Sequence, residues 1–429
     1  MDTHRIYDVL CTFGFFLLAG GLVISKFSVT LGAVILALCS MFLFVKKIKI
    51  EWTPMHHMFP LIITYIVLII SALYSFNKIE GYREMLVQSG LFVVPVLISF
   101  HWAHFKRRLG WVVNFLFAVA VIGCVTTLFF YVIPVESAME IVNDNSLFQK
   151  FPVLINKTQF GLYSPFIERL HFAYALSFCV LIGLYLSFLS RRWYYKVLSL
   201  FFLFMLLIIG ARGAQIALLF ALIPFLFFYF KDRFPKFQIF SWSSLIYSLM
   251  FLVAVPSVSY SLIPSVKNRY NQLIWELQVI NDGTYKNFEY QHFTTLTRLK
   301  SFEYSLDLIR LNPILGTGIG DAKNDLKEIY QLKTPDIPAH QQNYYLFLWV
   351  AGGFGALISF IGFQWHWIKS FLRKYDHLLD RSLAISYSIF VVSILMIDAV
   401  LKYHLGVFGI PFFYMVIMAF ADKNKSTMS

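Results

Sequence analysis

Apolar runs long enough to cross a bilayer recur from end to end of the 429-residue chain, centred near residues 16, 37, 66, 94, 122, 180, 203, 221, 250, 354, 390 and 411. A run of about 20 such residues spans roughly 30 Å of hydrocarbon as a helix. Within lipid the backbone must satisfy its own hydrogen bonds, so spans of this length fold as helices. Composition agrees: 59% of residues are hydrophobic and 14% charged, against roughly a quarter charged in soluble domains. The expectation is an all-α, polytopic membrane protein with about twelve transmembrane helices. The four cysteines, Cys11, Cys39, Cys124 and Cys179, all fall inside apolar runs and read as small buried hydrophobes rather than disulfide partners.

The net charge of +13 would suit a nucleic-acid partner, but its distribution does not. Lys and Arg gather in short clusters between apolar runs, at Lys46–Lys49, Lys106–Arg108, Arg191–Lys196, Lys231–Lys236, Lys369–Arg381 and Lys423–Lys425. All of these fall on one alternating set of connections. The short connections of the other set hold only Lys26, Lys78, Arg83, Arg212 and Lys402. The positive-inside rule then places both termini in the cytoplasm. The first run, Val9 to Ser25, lacks a small-x-small cleavage site and reads as a retained span.

This orientation turns two long segments outward, Pro134 to Glu168 and Ile263 to Ala339. The chain divides into nine spans over residues 1–262, a large periplasmic segment over 263–339, and three spans over 340–429. In the large segment Leu299, Phe302, Leu306 and Ile309 recur at helical spacing. Thr294, Thr295 and Thr297 offer N-caps, and Asn312-Pro313 stops the helix. Gly316-Thr-Gly-Ile-Gly320 has no following Lys-Ser/Thr and no preceding strand, so it reads as a tight connector rather than a phosphate loop. Asp321 can open another helix.

Few residues in this frame can carry chemistry. Arg212, in Ile209-Gly-Ala-Arg-Gly-Ala-Gln215, sits in a hairpin so short that its guanidinium lies at or just below the interface. There it either lines a polar cavity or snorkels as an anchor. Arg298 leads the helix of the outer segment and reads either as a site residue or as solvated surface. Lys300, Arg310, Lys323 and Lys327 fit a mixed-charge surface with Glu303, Asp307 and Glu328. His340, entering a span at the boundary, is either a proton acceptor or a hydrogen-bonded interface residue. The same pair of readings holds for His171, beside Arg169 at the outer end of the sixth span. Asp398, inside the eleventh run, pairs locally with Lys402 four residues on. No Asp-x-Asp pair and no His/Cys cluster of metal-ligand spacing occurs.

Ala211-Arg-Gly-Ala214, Arg298, Asn312-Pro-Ile-Leu-Gly-Thr-Gly-Ile-Gly320, and His340 ahead of Gly352 and Gly355 together resemble the O-antigen ligase and polymerase superfamily, mainly over Phe201 to Ala356. The resemblance implies a glycosyltransferase of the bacterial inner membrane, with its active site on the periplasmic face. It would move a glycan from undecaprenyl diphosphate to a hydroxyl of lipid A–core, or of another glycan in a polymerase. It implies that Arg212 and Arg298 hold the diphosphate and that His340 acts on the acceptor; Arg169 and His171, from their position, are further candidates for binding the substrate. No cofactor or metal is implied. The family commonly places Asn directly after the histidine, whereas here Gln341 follows and Asn343 comes later. About twelve spans and one dominant outer segment favour the ligase branch. A transporter of lipid or polysaccharide is the competing class; it would need polar residues near the midplane and internal symmetry.

Overall fold

The computed structural model describes residues 3–45, 51–132, 164–233, 264–284, 294–335 and 341–428, with 257, 260, 261, 337 and 339. The span expected near residue 250, most of the Pro134–Glu168 segment, and His340 lie outside the described residues. Among the described residues there is no strand.

Fifteen helices are described: α1 (Thr3–Ile24), α2 (Lys26–Val45), α3 (Thr53–Tyr74), α4 (Lys78–Gln88), α5 (Gly90–Phe100), α6 (Trp102–Val132), α7 (Arg169–Leu189), α8 (Trp193–Ile209), α9 (Arg212–Arg233), α10 (Pro264–Asn281), α11 (Thr294–Leu311), α12 (Ala322–Lys333), α13 (Tyr344–Lys374), α14 (Leu378–Ile397) and α15 (His404–Met428). Nine segments among the described residues are long and apolar enough to cross a membrane, with α4 and α5 forming one of them. α8 and the apolar part of α9 are shorter apolar helices. They are joined through the left-handed Gly210, but part company there: α8 packs on α7 and α9 on α14.

Burial ranks the spans. In α15 94% of the apolar window is buried and in α7 83%, against 39% in α2 and α3. The last helix is therefore the hub, packing against α1, α2, α5, α6, α7 and α14, while α2 and α3 turn a broad face outward. A helix apolar on all sides belongs in such a position. All four cysteines are buried and unbridged.

The glycine motif acts as a structural clasp. Asp321, 7% exposed, accepts Phe76 N–H at 2.6 Å and Asn77 N–H at 2.8 Å. Gly320 N–H donates to Ser75 Oγ at 3.0 Å, so the segment after α11 is bolted to the α3–α4 corner. On its other side Thr317 N–H donates to Val350 O (2.7 Å) and Phe354 N–H to Ile314 O (3.1 Å), at a break inside α13 centred on Gly353. A charged acceptor serving buried amides is worth roughly 1.5–3 kcal/mol. Asp321→Ala should accordingly lower thermal stability in detergent by several degrees. An unchanged melting curve would show that the clasp contributes nothing.

α11 forms over the span read from the sequence, and its chain leaves the helix at Asn312. Its buried face is Leu296, Ser301, Tyr304, Ser305, Leu308 and Ile309, so of the apolar positions read from the sequence Ile309 is buried while Leu299 and Leu306 are exposed. The small serines let the chain after residue 340 approach closely: Gln341 Nε2 donates to Ser305 Oγ (3.0 Å) and Gln342 N–H to Ser301 Oγ (3.2 Å). The leucine stripe faces the other way.

Candidate active site

Three helix starts deliver the arginines to one end of the bundle. The α8–α9 corner is closed by Gln215, whose Nε2 donates to Leu206 O (2.9 Å) and Leu207 O (3.2 Å). These are carbonyls that a helix end leaves without partners. The corner fixes Arg212 as the first residue of α9. Arg298 lies early in α11. The N-terminus of that helix is held by the fully buried Glu276 of α10, whose Oε2 accepts Thr295 N–H at 2.7 Å. A carboxylate there also complements the helix dipole. Arg169 opens α7.

Asp398 ties these starts together. One oxygen, Oδ1, accepts from Arg298 Nη2 at 3.1 Å. The other, Oδ2, lies so close over Gly213 that a Cβ built there would stand 2.3 Å away. The charges of Arg298 and Arg169 act on Asp398, and those of Glu276, Arg298 and Arg169 act on Arg212. Arg169, Arg212 and Arg298 thus converge around two carboxylates. Burial pushes the Asp398 carboxyl above its ordinary range, with Arg298 and Arg169 opposing.

The local Asp398–Lys402 pair expected from sequence is not formed. α14 ends at Ile397 and Asp398 is extended (φ −140°, ψ 140°), so the four-residue spacing no longer puts both side chains on one helical face. Lys402 instead ends a 3₁₀ turn, Val400–Lys402, with Nζ 5.4 Å from the centre of the Phe347 ring. Burial lowers its pKa, and Glu84 is the main opposing charge.

His171 is 2% exposed and stands edge-on to Tyr403 with ring centres 5.2 Å apart. Its Nδ1 is 3.4 Å from Glu168 Oε2, and that contact holds the Glu168 carboxyl below its ordinary range. His171 thus packs beneath the turn that carries Asp398. Lys300, Arg310 and Lys323 pair on the surface with Glu303 (2.8 Å), Asp307 (3.4 Å) and Glu80 (3.1 Å), as a mixed-charge face would.

His340 lies outside the described residues, but the chain directly after it is pinned. Asn343 caps α13 by accepting Leu346 N–H at 3.0 Å, and its Nδ2 donates to Met396 O at 3.0 Å, two residues from Asp398. The helix start thus takes its cap from Asn343 rather than from the residue that follows His340.

An apolar groove of about 370 Å³ runs between α11, α13 and α14, lined among others by Phe302, Leu346, Leu357, Ile361, Val392 and Met396. Its lining includes the side chains of Asn343 and Met396, so it reaches the turn that carries Asp398. Among the described residues no three His, Cys, Asp or Glu side chains converge in a way that would hold a metal ion. Glu276 was not legible as a site residue, since nothing local in the sequence marks it. Asp398 was visible as a carboxylate at the end of an apolar run, with the wrong partner.

Residues 197–361 match the family model described as O-antigen ligase. The matched segment contains Arg212, Glu276 and Arg298 together with the glycine clasp, and bears out the superfamily resemblance. No curated protein matches the chain.

Proposed function

With residues 197–361 in the O-antigen ligase family, we propose that this membrane enzyme transfers a glycan from undecaprenyl diphosphate to a hydroxyl of lipid A–core at the periplasmic face of the inner membrane. The observation that carries this reading is the convergence of Arg169, Arg212 and Arg298 at one end of the bundle around a bridging carboxylate. Asp398 and Glu276 offset only part of the charge of the three guanidiniums, and the remaining positive charge suits an anionic ligand.

The chemistry follows from the leaving group. The acceptor oxygen attacks the anomeric carbon, the bond from that carbon to the diphosphate breaks, and its electron pair goes to the diphosphate. Arg212 and Arg298 bind the oxygens on which this charge grows, because their planar forks stay charged and bond two oxygens at once. Donors fixed where water is sparse stabilise such a transition state strongly. His340 takes the acceptor proton, a role worth about 10² to 10⁴-fold. The groove beside α11 receives the isoprene units nearest the diphosphate, and the exposed Leu299 and Leu306 rest at the lipid surface.

The deciding experiment uses the purified chain in liposomes with labelled lipid-linked glycan. Label appearing on lipid A–core supports the ligase. Label appearing only on longer lipid-linked glycan, with lipid A–core present, assigns the polymerase branch. Leu357→Trp, which fills the groove, should raise KM for the lipid-linked donor about tenfold with kcat little changed. An unchanged KM would separate the groove from the donor.

A further inference from the structure

We propose that Asp398 is a resident counter-anion that sets how tightly the arginine cluster holds the lipid diphosphate product, and so governs turnover. The proposal rests on the functional reading above. Its basis is geometric: one buried carboxylate touches Arg298 through Oδ1 at 3.1 Å and closes over Gly213, the neighbour of Arg212, through Oδ2. Any diphosphate bound by Arg298 must share that guanidinium with Asp398 or replace it.

Charge gives the arrangement a purpose. Three arginines against Asp398 and Glu276 leave a single positive charge in the cluster. The donor is a diphosphate diester. Transfer breaks the bond to the sugar and leaves a terminal phosphate with one more ionisable oxygen, whose second pKa is near 6. The product is thus more negative than the substrate, and an uncompensated triple cation would retain it. Glu276 is committed to Thr295 N–H at the head of α11, whereas Asp398 sits on a short turn after a helix end. Asp398 is a positioning residue in this scheme, acting through Arg298 rather than on the substrate.

Two variants test this by different means. Asp398→Asn removes the charge and keeps the shape. Gly213→Ala leaves the charge and pushes the carboxylate aside, since a Cβ there meets Oδ2 at 2.3 Å. Full-length protein in nanodiscs is titrated with undecaprenyl diphosphate, and transfer is followed over the first and later turnovers. Both variants should bind the product roughly tenfold tighter, a shift of about 1.4 kcal/mol. Later turnovers should slow more than the first, and KM should fall together with kcat. Equal or weaker product binding by the variants, with wild-type binding intact, would overturn the counter-anion and leave Asp398 as a strut for Arg298. If wild type itself fails to bind undecaprenyl diphosphate, the functional reading falls instead. If Asp398→Asn does not fold, Gly213→Ala alone decides.

Discussion

Arg298→Lys is expected to cut glycan transfer by about 10 to 150-fold at matched protein levels, the rate equivalent of losing a charge-assisted bond worth roughly 1.5–3 kcal/mol in the transition state. The substitution keeps the positive charge, so a surface role would leave activity nearly intact. Lysine, however, is a point donor on a flexible stem. It cannot bond Asp398 through one nitrogen, as Arg298 does at 3.1 Å, and present a second nitrogen in a fixed plane to a phosphate oxygen. Lys300→Ala is the internal control: it keeps the same helix but removes a cation whose Nζ pairs with the exposed Glu303 at 2.8 Å rather than with Asp398, and i, i+3 pairs of that kind contribute little. Combining Arg212→Ala with Arg298→Ala should cost less than the two single losses together, because residues sharing one ligand do not act independently. Near-wild-type transfer by Arg298→Lys, or strictly additive losses in the double variant, would dissolve the clamp.

The legible part of this protein was whatever rests on local period or local chemistry. Apolar runs marked the nine segments long enough to span among the described residues, out of about twelve expected, because a bilayer demands length and little else. The helix from Thr294 to Leu311 and its stop at Asn312-Pro313 followed from spacing and from proline sterics. Which face of that helix is buried did not follow, because Ser301 and Ser305 are buried for their small size and hydrogen bonds rather than for apolarity. The arginines stood out by their depth. Their counter-ions were hidden: Asp398 meets a partner 100 positions earlier in the chain, and Glu276 caps a helix 19 residues on. Neither pairing has a local signature, and the four-residue rule misdirected Asp398 to Lys402 because the helix ends one residue before it.

Gly353→Ala should be the most damaging substitution outside the arginine cluster, and its effect should appear as lost folded protein rather than altered kinetics. Gly353 sits inside α13 at φ 66° and ψ −165°, a region essentially restricted to glycine, where another residue is strained by about 1–3 kcal/mol. Space is equally short, since a Cβ there would stand 2.0 Å from Ile314 O, the carbonyl that accepts Phe354 N–H. Overpacking of that kind typically costs a further 1–3 kcal/mol. The sum is on the order of 4 kcal/mol, or a melting temperature lower by roughly 4–5 °C for a chain of this length. The damage should spread, because the same contact locks the glycine clasp that bolts the segment after α11 to the α3–α4 corner through Asp321. Gly362→Ala provides the matched comparison: it lies nine residues along the same helix with open space at its Cβ, so helix propensity alone should leave it neutral or stabilise it by about 0.5–1 kcal/mol. Thermal unfolding of the two variants in one detergent is the measurement. Equal melting temperatures would mean that the break in α13 is a bend the helix can straighten, and that the segment after α11 is held in place by other contacts.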